Sequence, residues 1–197
     1  MSKTAVIFGN RGALGSKIEA ALRAKGWTCY GVSPRAAASA QQVARVDDLP
    51  KNLGINAVID CAGVFELNAK EMDRDQLDRM WRGNVLPAFD AAKLASTSKA
   101  DALVLCSAQA SLDCNIAYAT AYGASKAAVN SLAMSFHQNH PKTRTHCLLL
   151  TMMDTERNRR DVPGADYSSW LSPHTVTAKV LELCTTPTTT ASVFVRF

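Results

Sequence analysis

Thr4-Ala5-Val6-Ile7-Phe8-Gly9-Asn10-Arg11-Gly12-Ala13-Leu14-Gly15 is the stretch that decides how the rest of the chain is read. Its first five residues are uncharged and rich in β-branched side chains, which predicts a buried strand. Leu14, Ile18 and Leu22 then recur at helical spacing, and Lys25-Gly26 supplies a basic last turn and a stop. Between strand and helix stand glycines at 9, 12 and 15. Closely spaced glycines let the backbone turn tightly and approach an anion, while the free amides of the helix start face it. In this strand–turn–helix context the pattern points to the pyrophosphate of a dinucleotide. Gly9, Asn10, Arg11, Gly12, Ala13, Leu14 and Gly15 are the expected cradle.

Outward from this turn, apolar β-rich runs alternate with helical patterns. Further strands are expected at 27–32, 42–46, 57–61, 102–106, 145–150 and 192–196, and helices at 74–96, 119–139 and 173–183. The first of these helices carries Pro87 and is expected to bend near it. The last has Ser172 as N-cap and Pro173 at its first position. Such alternation predicts an α/β fold: a Rossmann-like doubly wound parallel sheet of about seven strands with helices on both faces, in one domain over 1–197. The ligand crevice of that architecture lies beyond the carboxyl ends of the strands. Residues 151–170 form the longest stretch without regular pattern and read as a lid.

At 197 residues and 47% hydrophobic, the chain can bury a full single-domain core. No apolar run approaches the ~18 residues of a membrane span, and no basic segment precedes a long apolar one, so a cytosolic protein is expected. The net charge of +5 is dispersed, without a Lys/Arg stripe interleaved with aromatics, which argues against nucleic acid. The one basic cluster, Arg157, Arg159 and Arg160, reads as a solvated loop. Six cysteines lack any C-x-x-C pair and read as buried small hydrophobes in a reducing compartment, with no metal expected. His137, His140 and His146 read as surface residues, and Met80 and Trp81 as packing residues, with a subunit contact open to them.

The second strand ends in Val32-Ser33-Pro34-Arg35, with no carboxylate. An acid there would hold the adenosine ribose of NADH, whereas an arginine accommodates the extra phosphate of NADPH. Ser33 and Arg35, assisted by Arg11, therefore favour NADPH over NADH. Asp47, with Asp48, stands where an adenine contact is expected. In Tyr122-Gly123-Ala124-Ser125-Lys126 the spacing of four puts Tyr122 and Lys126 on one helical face. An ammonium beside a phenol favours the phenolate and lowers the phenol's pKa, making the pair a general acid that protonates a substrate as hydride arrives.

Together these segments resemble the short-chain dehydrogenase/reductase family over essentially the whole chain: the glycine turn, Cys61-Ala62-Gly63 after the fourth strand, Asn84 in the next helix, and Tyr122 with Lys126. Two features depart from the commonest pattern. The glycines are spaced G-x-x-G-x-x-G, and Ala108 stands where a catalytic serine is usual, with Ser107 or Ser111 as possible substitutes. Both departures are similar to the dihydropteridine reductase branch, which 154–155 and 165–170 also resemble. The resemblance implies reduction of a quinonoid dihydropterin to a tetrahydropterin, with Tyr122 as proton donor and Lys126 orienting the ribose. It further implies cofactor contacts from Cys61, Ala62, Gly63, Asn84, Ser107 and Thr155, and substrate contacts from Phe65, Ala108 and Trp170. Trp170 either shields the site or only anchors its loop. A homodimer through helices 74–96 and 119–139 is implied too. An electron-poor quinonoid substrate demands less activation than a ketone, which gives Ala108 a chemical reason. Two other readings stay open: a carbonyl or quinone reductase, favoured if Ser107 or Ser111 restores the serine function, and a non-catalytic dinucleotide sensor.

Overall fold

The computed structural model describes residues 2–34, 41–67, 73–113, 119–186 and 193–197. Seven parallel strands form one sheet in the order β3-β2-β1-β4-β5-β6-β7. They are β1 Thr4–Phe8, β2 Thr28–Val32, β3 Gln42–Val43, β4 Ala57–Asp60, β5 Ala102–Ala108, β6 Arg144–Leu150 and β7 Phe194–Arg196. Alternate residues of each strand serve opposite faces of the sheet. Ala5 and Ile7 join one core with Ile18 and Leu22 of α1 (Ala13–Ala24) and Val176 and Val180 of α7 (Pro173–Thr185). Val6 and Phe8 join the other, with Ala91 and Ala95 of α3 (Leu86–Ser98) and Val129 and Ala133 of α5 (Thr120–Asn139). The predicted doubly wound α/β architecture is the one observed.

The order places β2 on one side of β1 and β4 on the other. The chain therefore leaves β1 in one direction and β4 in the other, which opens a crevice at their carboxyl ends. The glycine turn sits at that point.

Several ends differ from expectation by one or two residues, and the larger differences have local reasons. β3 stops at Val43 rather than residue 46: the last bond of its ladder runs from the Ser33 amide to the Val43 carbonyl, and β2 ends in a turn at Pro34 directly after. β5 continues to Ala108, paired against β6 as far as Leu150. The 74–96 helix is α2 (Arg74–Met80), then a π-helical turn over Trp81–Val85, then α3. Pro87 in the first turn of α3 lacks the amide that would close an ordinary turn onto Gly83, and the backbone widens before it. Finally, 151–170 is not without structure. It contains α6 (Glu156–Asp161) and a 3-10 turn at Tyr167–Ser169, and is tied back by Leu171 N–H to the Met152 carbonyl and Asp154 N–H to the Leu171 carbonyl. A further short helix, α4, spans Ala110–Asp113.

Cys29, Cys106, Cys147 and Cys184 are buried and Cys61 is half-buried, as free thiols, while Cys114 lies outside the described residues. His137 is exposed, but His146 is a correction. It is buried on β6, and neither ring nitrogen has a partner among the described residues. It falls among the alternating residues of a fully covered strand, where sheet position overrides polarity. Met80 is fully buried as a packing residue, whereas its neighbour Trp81 is exposed. Among the described residues no helix is long and apolar enough to cross a membrane.

Candidate active site

The glycine turn is held by its own backbone. Gly9 donates its amide to the Val32 carbonyl at 2.9 Å and adopts φ +71°, a left-handed conformation that side chains disfavour. A Cβ at Gly9 would stand 2.6 Å from the Ala62 amide nitrogen, and one at Gly15 would stand 2.4 Å from the Gly9 carbonyl oxygen. Gly12 is the N-cap of α1 and offers no side-chain acceptor, which leaves the amides of the first turn available to an anion. Arg11, Gly12 and Ala13 are exposed, while Leu14 packs into the core. Asn10 is different. Its side chain is buried under Gly31, with Nδ2 donating to Glu19 Oε2 at 2.7 Å and to Gln42 Oε1 at 2.9 Å. It ties the turn to α1 and β3, a support the glycine pattern alone did not reveal.

Beyond the ends of β1 and β2 lies a cavity of about 290 Å³ lined by Gly9, Val32, Pro34, Arg45, Asp47 and Ala62, among others. Ser33 is buried beside it, its amide donating to the Val43 carbonyl at 3.0 Å. Asp47 sits in a 3-10 turn, Val46–Asp48, and pairs with Arg45 at 3.4 Å. Arg35 lies outside the described residues. The strand-end crevice, the Cβ-intolerant glycine turn and the uncapped helix start together fit the adenosine and pyrophosphate of a dinucleotide.

The second half of the site is made of side chains. Cys61 donates its amide to the Phe8 carbonyl, and Asp60 Oδ1 accepts from the Ala62 amide at 3.0 Å, which fixes the 61–63 segment against the glycine turn. Asn84 is fully buried within the π-helical turn. Its Oδ1 accepts from the Val64 amide at 2.8 Å, and its Nδ2 donates to the Val64 carbonyl at 3.1 Å and to Ser125 Oγ at 2.9 Å. Ser125 in turn donates to the Tyr122 carbonyl at 2.7 Å. One buried amide thus ties the segment after Gly63 to the helix that carries the reacting pair.

Lys126 is buried, its Nζ donating to the Cys106 carbonyl at 3.0 Å. A Cβ on Gly63 would stand 3.2 Å from Asn84 Oδ1 and in ordinary contact with Nζ at 3.5 Å, so Gly63 passes close to both side chains. Burial lowers the Lys126 pKa, opposed mainly by the carboxyl of Asp60. Asp60 itself is buried and pushed up to about 7 by desolvation, with Lys126 pulling the other way. Its Oδ2 has no partner among the described residues. Sequence reading missed Asp60. The available signal was an acid closing an otherwise apolar strand, Ala57-Val58-Ile59-Asp60.

Tyr122 stands one turn before Lys126, with the Phe65 ring edge-on to it at 4.8 Å and 89°. The expectation that Lys126 would lower its pKa is not met here. Burial pushes the phenol up to about 12, so Tyr122 is a protonated donor at neutral pH. Ala108 closes β5 and is buried. The serines on either side are occupied. Ser107 Oγ donates to the Lys126 carbonyl at 3.1 Å, and Ser111 Oγ donates to the Ala108 carbonyl at 2.6 Å while accepting from Asn130 Nδ2 at 2.8 Å. Thr155 caps α6, its Oγ1 accepting from the Asn158 amide at 3.1 Å. Trp170 packs on Tyr167 at 4.7 Å, and the Tyr167 hydroxyl donates to the Arg159 and Val162 carbonyls, so this pair anchors the 151–170 segment to itself.

Solved structures share this fold. The aldohexose dehydrogenase of Thermoplasma acidophilum superposes with a TM-score of 0.79 at 19% identity, over 93% of this chain and 87% of its own. A blue fluorescent protein from a metagenomic library, in complex with NADPH, gives 0.77 at 18% identity, over 92% and 90%. A short chain dehydrogenase from Burkholderia cenocepacia, in complex with NADP, gives 0.78 at 16% identity, over 100% and 88%. The sequence profile of the short chain dehydrogenases matches residues 3–165, which takes in the glycine turn, Asn84, Tyr122 and Lys126. This chain belongs to the short chain dehydrogenase family, a family of NAD(P)H-dependent oxidoreductases.

Proposed function

We propose that the chain reduces a quinonoid dihydropterin to the tetrahydropterin, with NADPH preferred as the cofactor. One observation carries the choice of substrate: of the hydroxyls of Tyr122, Ser107 and Ser111, both serines donate to backbone carbonyls, and only that of Tyr122 is without a partner among the described residues. Ala108 adds no donor where the family's pattern has a serine. A carbonyl reductase needs a second donor to polarise its ketone, and this arrangement disfavours it. An electron-poor quinonoid ring needs one proton and one hydride, and this arrangement suits it. Phe65, partly exposed beside Tyr122, offers a flat apolar wall to a planar heterocycle. Trp170 and Thr155 are assigned to the substrate and nicotinamide sides of the same opening.

In this reading the bound nicotinamide supplies the hydride. Gly9, Gly12 and the first turn of α1 hold the pyrophosphate, and Lys126 holds the nicotinamide ribose. Tyr122, kept protonated by burial, gives its phenolic proton to a ring nitrogen of the substrate. Asn84 fixes the Val64 backbone, next to Phe65. The free thiols fit a cytosolic protein. Exposed Trp81 and Phe89 on the 81–98 stretch and Met134 on α5 are assigned to a homodimer contact along those helices.

The test is oxidation of NADPH and NADH by purified protein with freshly generated quinonoid dihydropterin. Rapid turnover is expected, faster with NADPH. Turnover of small ketones or quinones with none on the pterin would replace this reading by the carbonyl reductase. Binding of the dinucleotide without turnover on any of them would replace it by the sensor.

A further inference from the structure

We propose that Arg45 selects NADPH by binding its 2′-phosphate, and that Asp47 holds the guanidinium ready until the phosphate arrives. The inference deepens the NADPH reading above and rests on it. β2 and β3 leave the sheet side by side: Val32 pairs with Val43, and the Ser33 amide donates to the Val43 carbonyl at 3.0 Å. Two residues further on, Arg45 and Pro34 line the same cavity. That is the place, just past the end of the second strand, where an acid would bind the ribose hydroxyl of NADH, and Val32-Ser33-Pro34 provides none. A cation there reverses the preference.

The state of Arg45 suits exchange of partners. Its side chain is 76% exposed, and its contact with Asp47 is a single 3.4 Å approach to a carboxylate that is itself 71% exposed. Such a pair is weak and solvated, so a phosphate dianion can displace the carboxylate at little cost. The guanidinium fork then meets phosphate oxygens in the two-pronged geometry that lysine lacks. Lys93 also lines the cavity, but it comes from α3, beside β4, and not from the β2–β3 side.

Fluorescence titration of the full chain with NADPH and with NADH tests this without any substrate. Arg45→Gln is expected to raise the Kd for NADPH about 10- to 100-fold while moving that for NADH less than about twofold. Arg45→Lys should recover part of the loss, and Asp47→Asn should tighten NADPH about two- to fivefold. The same ranking should appear in thermal shifts with adenosine 2′,5′-bisphosphate against 5′-AMP. Equal weakening of both dinucleotides by Arg45→Gln would mean that Arg45 stacks on adenine, and would overturn the proposal. So would unchanged NADPH affinity, or a discrimination lost in Lys93→Gln instead. Wild-type protein that binds neither dinucleotide overturns the NADPH reading itself, a result distinguishable from all of these.

Discussion

The two halves of the site are built from different materials. The half around Gly9 is made of backbone: one amide on the Val32 carbonyl, a left-handed glycine, an uncapped helix start, and an open cavity of about 290 Å³. The half around Lys126 is made of buried side chains in a continuous network, from Val64 through Asn84 and Ser125 to the Tyr122 carbonyl. Backbone sites tolerate no added atom but are indifferent to polar chemistry. Side-chain sites tolerate reshaping poorly because each polar group is buried and committed. The comparison predicts which variants lose binding and which lose chemistry.

The largest effect is expected at the reacting end. Tyr122→Phe should lower kcat about 10²- to 10⁴-fold and leave the Kd for NADPH nearly unchanged, as stopped-flow turnover beside a binding titration would show. A variant that turned over at the wild-type rate would remove the proton-donor role. Gly9→Ala should behave in the opposite way. Its Cβ would stand 2.6 Å from the Ala62 amide on a φ of +71°, a strain of about 1–3 kcal/mol. Dinucleotide binding should weaken and Tm should fall by several degrees, before any change in the chemistry per bound complex. If instead Gly9→Ala bound NADPH normally and failed only in turnover, the division between the halves would be wrong.

The same division explains what could be read from the sequence. The glycine turn, the strand alternation and the Tyr122–Lys126 spacing are local patterns, and all three stand in the structure where expected. Asn10 reads as a cradle residue from its place between glycines, and the further work of its side-chain amide, on Glu19 and Gln42, depends on partners that only tertiary folding brings to it. Asp60 and Arg45 are not legible for the same reason: only tertiary folding brings Lys126 near Asp60 and sets β3 beside β2. The burial of His146 is not legible, because alternation on a covered strand gives no hint of what lies over each face. Ser107 and Ser111 illustrate the limit most clearly. Their availability was undecidable until the carbonyls of Lys126 and Ala108 were found to hold them.

Asp60 joins the two halves, since one oxygen holds the Ala62 amide against the glycine turn and its charge faces Lys126. Its pKa rises from 3.8 to about 7 on folding because burial disfavours the carboxylate. Between those values the folded chain binds the extra proton, so this group favours folding more as pH falls from 7 toward 4 and opposes it above 7. His146 has the opposite sign. Burial, with the positive charge of Arg144 and Lys179 nearby, lowers it from 6.5 to about 4, so the unfolded chain binds the proton and stability falls as pH drops through that window. The two contributions oppose each other between about pH 6.5 and 4, and single substitutions separate them. Denaturant unfolding of Asp60→Asn across pH 4–8 should lose the part that strengthens on acidification and become more acid-sensitive than wild type. His146→Leu should become less so. An Asp60→Asn profile parallel to wild type would mean that the carboxyl is ionised throughout, held by Lys126, and the two halves would then be joined by a salt bridge and not by a proton.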